Sequence, residues 1–133
     1  MIRVLIVDDS ALIRRIIRDA LLQNPDIEVV GTAENGAEAI EKLKELNPDV
    51  ITLDVEMPVM NGLETLKKII SIKPTPVIMV SALTTKEASV TVEALMSGAV
   101  DFIAKPKNLF SDFDSFVKEL QAKVVNVAKS KGR

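Results

Sequence analysis

The 133-residue sequence contains no histidine, no cysteine, no tryptophan and no tyrosine, and these absences exclude several classes of function. Without histidine the chain cannot carry a Ser-His-Asp triad, a histidine-ligated zinc or a histidine general base. Without cysteine it has no disulfide framework and no thiolate metal site. Its four phenylalanines are the only aromatic residues, so it lacks the platforms on which nucleic-acid bases stack. Any chemistry must therefore use carboxylates, hydroxyls and lysines.

Charge and hydropathy set further limits. A net charge of −2 offers little basic surface, so we do not expect direct binding to a nucleic acid. No apolar run approaches the roughly 20 residues that cross a bilayer, and the N-terminus lacks the features of a secretion signal. We therefore expect a cytoplasmic protein without a membrane partner. We predict one domain over residues 1–128, and a basic tail at residues 129–133 that is either a fraying helix end or the start of a linker.

Short β-rich runs alternate with longer segments of helical periodicity, which is typical of an α/β protein with a parallel sheet. The predicted strands are Arg3–Val7, Ile27–Gly31, Val50–Leu53, Val77–Val80 and Val100–Ala104. A helix is predicted after each strand. The buried residues of the fourth helix are predicted to be Ala88, Val92, Leu95 and Met96, and those of the fifth Phe113, Phe116, Leu120, Val124 and Val127.

The composition of the strands predicts their order in the sheet. Strands covered on both faces are unbroken aliphatic runs, whereas edge strands tolerate charge. Glu28 interrupts the second strand and Asp101 the fifth, while the other three are almost entirely apolar. The order 2-1-3-4-5 follows, which is a flavodoxin-like, doubly wound sheet with five flanking helices. A ligand crevice is expected between the first and third strands, where the chain reverses direction.

Polar side chains stand where the aliphatic runs end: Asp8 and Asp9 after the first, Asp54 after the third, Ser81 after the fourth and Lys105 after the fifth. The carboxyl ends of parallel strands share one edge, so these side chains are expected to converge. Three carboxylates, a hydroxyl and an ammonium suit a Mg²⁺ ion and a phosphoryl group, with one carboxylate as acceptor. Taken singly, each residue could instead be a helix cap, a turn residue or solvated surface.

One surface feature is predicted beyond this edge. Val90 and Ala94 fall outside the predicted buried stripe of the fourth helix, and Phe102 lies on the fifth strand. Together they could form a small apolar face for a partner, although ordinary packing would explain them equally well.

These residues lie in motifs that resemble the receiver domain of two-component response regulators. The motifs are Val7-Asp8-Asp9-Ser10, Thr52-Leu53-Asp54-Val55-Glu56-Met57-Pro58 with Asn61-Gly62, Val80-Ser81-Ala82, and Phe102-Ile103-Ala104-Lys105-Pro106. The resemblance implies that Asp54 is the phosphoacceptor. It also implies a Mg²⁺ site made by Asp9, Asp54 and the backbone carbonyl of Glu56, with Asp8 assisting through water.

The resemblance has further implications for the remaining residues. Ser81 and Lys105 would contact the phosphoryl group. Movement of the Ser81 hydroxyl would be coupled to rearrangement of Phe102, which would alter the face formed by the fourth helix, fifth strand and fifth helix. The peptide bond between Lys105 and Pro106 would be cis, as is usual in the family.

A narrower resemblance is to the receiver of the chemotaxis protein-glutamate methylesterase. It is carried by Asp9-Ser10-Ala11 with Arg14-Arg15, Val30–Ala33, Pro74–Val77 and Gly98–Phe102. In that family a catalytic domain with a serine-histidine-aspartate triad follows the receiver. Because this chain has no histidine, we expect no methylesterase activity from it, only self-catalysed phosphotransfer and dephosphorylation. The implied partners are a chemotaxis-type sensor histidine kinase and the chain's own C-terminal output domain, if the natural chain is longer.

Other functions remain open at this point. A stand-alone receiver, or one with another output, fits the same residues. A degenerate receiver used only for docking is disfavoured because all five site residues are present. A haloacid-dehalogenase-like phosphatase also forms an aspartyl phosphate, but that class requires an aspartate at the position that Glu56 occupies. A flavodoxin-like cofactor carrier is disfavoured because no tryptophan or tyrosine can stack on a flavin.

Overall fold

The computed structural model describes residues 1–82 and 84–131. Strands and helices alternate along this part of the chain, as the sequence predicts. In chain order they are β1 (Ile2–Val7), α1 (Ala11–Leu22), β2 (Ile27–Ala33), α2 (Gly36–Leu46), β3 (Val50–Asp54), α3 (Gly62–Ile72), β4 (Val77–Ser81), α4 (Thr85–Met96), β5 (Asp101–Ala104) and α5 (Phe113–Lys131). Helix α5 therefore continues into the predicted basic tail, whose last residues, Gly132 and Arg133, lie outside the described residues.

The five strands form one parallel sheet in the order β2-β1-β3-β4-β5, which confirms the predicted order. Alternate residues of each central strand enter different cores. Leu5 and Val7 of β1 pack with α2, α3 and α4, whereas Val4 and Ile6 pack with α1 and α5. Because both faces of the sheet are covered, the central strands have no polar side, and this is why they appear as unbroken aliphatic runs.

Strands β3 and β4 each extend one residue further at their carboxyl ends than predicted, and this extension places polar residues inside the sheet; β2 also extends two residues further, and β1 begins one residue earlier. Strand β3 ends at Asp54 and β4 at Ser81, and both residues are fully buried. Backbone pairing continues to these positions, with Asp54 opposite Val80 and Ser81 opposite Ala104. The side chains at the strand ends are therefore held by the sheet rather than by loops.

The predicted buried stripe of α4 is wrong in part. Val92 and Met96 are 57% and 85% exposed, while Thr91 and Ala94 are buried and Val90 packs against the core. The helix carries apolar residues around much of its circumference, so periodicity alone does not fix its rotation. Burial of Thr91 is possible because its hydroxyl donates to the Glu87 carbonyl (2.7 Å).

The predicted apolar face of Val90, Ala94 and Phe102 is wrong for the same reason, since Val90 and Ala94 face inward. The exposed apolar residues of this region are instead Val92, Met96, Val100 and Phe102. In α5 the prediction is better: Phe116, Leu120 and Val124 are buried, and Phe113 and Val127 are partly buried against the same core. No helix among residues 1–82 and 84–131 is long and apolar enough to cross a membrane.

Candidate functional site

Three carboxylates meet at the carboxyl ends of β1 and β3. Asp8 follows β1, Asp54 ends β3, and these neighbouring strands pair Val7 with Leu53 one residue earlier. One oxygen atom from each of Asp8, Asp9 and Asp54 lies within 4.8 Å of the others. Asp8 and Asp54 are fully buried, whereas Asp9 is exposed. The predicted convergence of the three acidic residues is therefore found.

Lys105 supplies the positive charge of the site. Its Nζ lies 3.0 Å from Asp54 Oδ1 and 3.5 Å from Asp8 Oδ2, and its side chain is 19% exposed. The backbone N–H of Lys105 donates to the Ser81 carbonyl (2.8 Å), which extends the pairing of β4 with β5 by one step. The sheet thus holds Lys105 in place while its side chain reaches across to the two buried carboxylates.

In each buried carboxylate one oxygen accepts a hydrogen bond from the backbone and the other accepts none, although Asp8 Oδ2 lies 3.5 Å from Lys105 Nζ. Asp8 Oδ1 accepts from the Ser10 N–H (2.9 Å), and Asp54 Oδ1 accepts from the Glu56 N–H (3.3 Å) as well as from Lys105. The Oδ2 atoms of Asp8 and Asp54 are buried and have no hydrogen-bond partner among the described residues. A buried polar atom without a hydrogen-bond partner destabilises the folded state unless a proton or a cation binds it. A hard divalent cation that prefers oxygen ligands fits these atoms, so the donor set is suitable for Mg²⁺.

Burial and mutual repulsion make the two aspartates difficult to ionise in the absence of a cation. Burial, followed by the charge of Asp8, raises the pKa of Asp54 to about 7, although Lys105 opposes this. Burial also raises the pKa of Asp8, against the lowering effect of the Ser10 N–H and Lys105. For Lys105, burial lowers the pKa, but contact with Asp54 and the charge of Asp8 outweigh it and the net shift is upward. The lysine therefore remains charged while the carboxylate pair favours a bound proton or cation.

Ser81 and Phe102, the other predicted site residues, occupy different positions. Ser81 is fully buried at the end of β4, at the edge of the sheet that also carries Lys105. Phe102 lies two residues into β5 and is 37% exposed, with Lys123 Nζ 5.2 Å from the centre of its ring. Lys123 also donates to the Phe102 carbonyl (2.6 Å) and pairs with Asp101 (3.1 Å). Phe102 therefore belongs to the outer surface where β5 meets α5.

Glu56 stands two residues after Asp54 and is tied to the site through its backbone N–H. Its side chain points to another partner, since Oε1 lies 3.6 Å from Lys86 Nζ. The β3–α3 loop then returns close to the end of β3. A Cβ atom at Gly62 would lie 2.3 Å from the Asp54 carbonyl oxygen, so only glycine permits this approach. The pair Asn61-Gly62 is typical of a turn or a helix cap, and Asn61 is the N-cap of α3, but the close approach behind Asp54 is visible only in the structure.

Sequence reasoning missed two further residues at this end of the sheet. Arg14 donates from its guanidinium to the Asp8 carbonyl (2.7 Å), which fixes the turn between β1 and α1. Glu87 accepts from the Ala82 N–H (3.2 Å) beside Ser81. The position of Arg14, just over one turn into the helix after the aspartate pair, was an available signal. The contact of Glu87 had none, because it depends on how α4 is oriented.

The implied cis peptide between Lys105 and Pro106 is not present: this bond is trans. The carbonyl of Ser81 already holds the Lys105 N–H. Lys105 therefore reaches the carboxylates with an ordinary trans bond after it.

Comparison with known proteins identifies relatives of this architecture. A family model described as the response regulator receiver domain matches residues 4–114. A protein-glutamate methylesterase/protein-glutamine glutaminase of Bacillus licheniformis is 60% identical over 111 residues, which is 84% of this chain and 31% of that protein. A second relative of the same name, from Geobacillus kaustophilus, is matched over 37% of its length. The chain thus spans about a third of the length of the curated relatives it matches.

Solved structures are also similar to this chain. The response regulator domain of Thermotoga maritima CheB is 51% identical and superposes with a TM-score of 0.87, with 97% of each chain covered. A complex from Borrelia burgdorferi, described as CheX-CheY-BeF3-Mg+2, contains a chain that is 32% identical, with a TM-score of 0.74 over 98% of this chain and 89% of that one.

Proposed function

Because this chain belongs to the response regulator receiver domain family, we propose that it is a phosphorylation switch in which Asp54 accepts a phosphoryl group. The observation that best supports this assignment is the environment of Asp54. Its carboxylate is fully buried, contacts the Lys105 ammonium at 3.0 Å and lies beside Asp8 and Asp9. A nucleophilic carboxylate placed next to both a cation site and a fixed ammonium suits phosphoryl transfer.

The metal site would use Asp8, Asp9, Asp54 and the backbone carbonyl of Glu56. The buried Oδ2 atoms of Asp8 and Asp54, which have no hydrogen-bond partner among the described residues, support these two ligands, and the exposed Asp9 leaves room for water ligands. When bound, Mg²⁺ would neutralise the carboxylates and screen the charge of an incoming phosphoryl group. The need for a bound cation is strong in this site because, without one, the pKa of Asp54 lies at about 7.

In the proposed reaction a carboxylate oxygen of Asp54 attacks the phosphorus atom of a phosphohistidine on the partner kinase. A P–O bond forms as the P–N bond breaks, and the leaving imidazole nitrogen keeps the electron pair and takes up a proton. Lys105 stabilises the charge on a phosphoryl oxygen, and the Ser81 hydroxyl donates to another. Water later attacks the phosphorus of the acyl phosphate, which restores the Asp54 carboxylate and releases inorganic phosphate.

The output would be read on the surface formed by α4, β5 and α5. Ser81 and Phe102 lie on neighbouring strands of this region, so an inward shift of the Ser81 hydroxyl could be coupled to Phe102. The exposed apolar residues of these elements, besides Phe102, are Val92 and Met96 of α4 and Val100, which directly precedes β5. The relatives named protein-glutamate methylesterases suggest that this surface regulates a methylesterase domain in the cytoplasm, with a chemotaxis-type histidine kinase as phosphodonor.

The assignment is tested by incubating the protein with acetyl phosphate and Mg²⁺ and measuring its intact mass. We expect the wild type to gain one labile phosphoryl group and Asp54→Asn to gain none. Asp49→Asn is the matched control, because Asp49 precedes the same strand that Asp54 ends, and it should label like the wild type. Chelation of Mg²⁺ should abolish labelling. Labelling of Asp54→Asn at the wild-type level would contradict the assignment.

A further inference from the structure

The carboxylate of Glu87 makes an unusual contact for its position in a helix. Glu87 lies in the first turn of α4, and its N–H donates to Oγ1 of the N-cap residue Thr84 (3.2 Å). A glutamate here commonly returns its own side chain to the backbone N–H of the N-cap residue. Glu64 of α3 does so, accepting from the Asn61 N–H (3.4 Å). Glu87 instead accepts from the Ala82 N–H (3.2 Å).

This contact brings a fourth acidic group to the edge of the sheet that carries the site. Ala82 directly follows Ser81, whose carbonyl holds the Lys105 N–H. The contact therefore places the negative charge of Glu87 on the residue next to Ser81, at the end of the two strands that hold Lys105.

The Glu87 carboxylate would conflict with an anion that arrives at Asp54. A phosphoryl group between Ser81 and Lys105 would be repelled by the Glu87 carboxylate, and the Ala82 N–H would already have a partner. Glu87 is half-buried, and a glutamate at this place in a helix can instead accept from the N–H of the N-cap residue, as Glu64 does in α3. The conflict can be relieved by moving one side chain.

We propose that Glu87 is an internal anion that holds the Ala82 N–H in the unphosphorylated protein and is displaced when a phosphoryl group occupies the site. This inference rests on the proposed function and adds a residue that sets how strongly the site binds its anionic group. Glu87 does not react. It competes with the phosphoryl group for one donor, and its charge disfavours the phosphorylated state.

The test measures the affinity of the full chain for beryllium fluoride in saturating Mg²⁺, by following amide NMR signals during a titration. Glu87→Gln removes the charge but keeps an acceptor, and Glu87→Ala removes both. We expect both variants to bind roughly tenfold more tightly than the wild type, as the loss of one nearby like charge would give. Glu93→Gln removes the same charge six residues further along α4 and should stay within about twofold of the wild type, because its charge is distant and exposed.

The same spectra test displacement directly. Without beryllium fluoride, the Ala82 amide signal should differ between the wild type and Glu87→Ala, because the hydrogen bond is lost in the variant. With beryllium fluoride bound, the two signals should coincide, because Glu87 has left in the wild type. A difference of the same size in both states would overturn the proposal, since it would mean that Glu87 stays on Ala82.

The outcomes separate this inference from the function on which it rests. If the wild type binds beryllium fluoride and both Glu87 variants bind it equally or more weakly, the displacement of Glu87 is contradicted and the receiver function is not. If the wild type neither binds beryllium fluoride nor takes a phosphoryl group from acetyl phosphate, both proposals are contradicted.

Discussion

Strand β3 has an aspartate at each end, but only the aspartate at its amino end stabilises the folded protein. Asp49 precedes the strand and Asp54 ends it. The Asp49 carboxylate accepts from the Arg3 N–H and the Asp49 N–H donates to the Arg3 carbonyl, both at 2.8 Å, so it ties β1 to β3. The Asp54 carboxylate is buried beside Asp8, and one of its oxygens has no hydrogen-bond partner among the described residues.

The loops at the two ends differ in the same way. Before β3, the left-handed position at the end of α2 is occupied by Asn47, with φ 49°. After β3, Val59 adopts φ 70° at the centre of a tight turn in which the Met60 N–H donates to the Pro58 carbonyl (2.7 Å). Asparagine tolerates this backbone region, whereas a β-branched residue is strained in it.

The difference shows where the sequence departs from what would be most stable. At the amino end of β3 every described feature favours the folded state. At the carboxyl end, Asp54 has one buried carboxylate oxygen without a hydrogen-bond partner among the described residues, and Val59 follows in a strained turn. Unfavourable features of this kind gather at functional sites, where binding of a ligand offsets them. The comparison predicts that equivalent substitutions at the two ends change stability in opposite directions.

The largest effect is expected from removing each carboxylate charge in turn. At pH 8 without Mg²⁺, Asp54→Asn should raise the free energy of unfolding by about 2 kcal/mol, because a buried charge and its repulsion from Asp8 are removed. Asp49→Asn should lower it by about 1 kcal/mol, because the acceptor of the Arg3 N–H loses its charge. Urea denaturation of both variants measures the two values. Changes of the same sign would show that the two ends do not differ in this respect.

The next largest effect concerns how the free energy of unfolding depends on pH, which should differ between variants at the two ends of β3. The pKa of Asp54 is raised from 3.8 to about 7 in the folded protein, so between about pH 4 and pH 7 the folded state binds more protons than the unfolded state. The free energy of unfolding of the metal-free wild type should therefore fall as pH rises through this window, by about 2 kcal/mol between pH 5 and pH 7.5. Asp8 contributes in the same direction.

The variants provide the controls for this pH dependence. Asp54→Asn should largely flatten the decline, whereas Asp49→Asn should keep it. Saturating Mg²⁺ should also flatten it in the wild type, because a bound cation favours the ionised carboxylate. If the metal-free wild type and Asp54→Asn declined in parallel, the raised pKa of Asp54 would be contradicted.

The smallest effects concern the two left-handed residues. Val59 is 89% exposed, so Val59→Gly loses no packing and should raise the free energy of unfolding by about 0.5 kcal/mol through relief of strain. Asn47→Val places a β-branched residue at φ 49° and should lower it by about 1 kcal/mol. Thermal or urea unfolding of both variants tests this pair. A stability loss in Val59→Gly would mean that the turn after β3 is not strained.

Much of this arrangement was predictable from the sequence because it depends on strand periodicity and composition. Glu28 and Asp101 marked the edge strands, and the polar residues that follow the aliphatic runs gave Asp8, Asp54 and Lys105 as neighbours. These predictions succeed because a parallel sheet brings the ends of its strands together regardless of their distance along the chain.

The parts that could not be predicted depend on the rotation of α4. The helix has apolar residues on several sides, and the choice of Thr91 and Ala94 as its buried residues is made by packing against the sheet. The same rotation directs Glu87 toward Ala82 and leaves Met96 exposed. The trans bond after Lys105 was likewise not predictable from the motif, which implied the other isomer.

The most direct test of the central claim is to identify which carboxylate is phosphorylated. After reaction with acetyl phosphate and Mg²⁺, reduction with borohydride converts a phosphorylated aspartate to homoserine, and peptide mass spectrometry locates that residue. Homoserine is expected at position 54 alone, with Asp8, Asp9 and Asp49 unchanged. Homoserine at position 8 or 9, or its absence from position 54, would contradict the assignment of Asp54 as the phosphoacceptor.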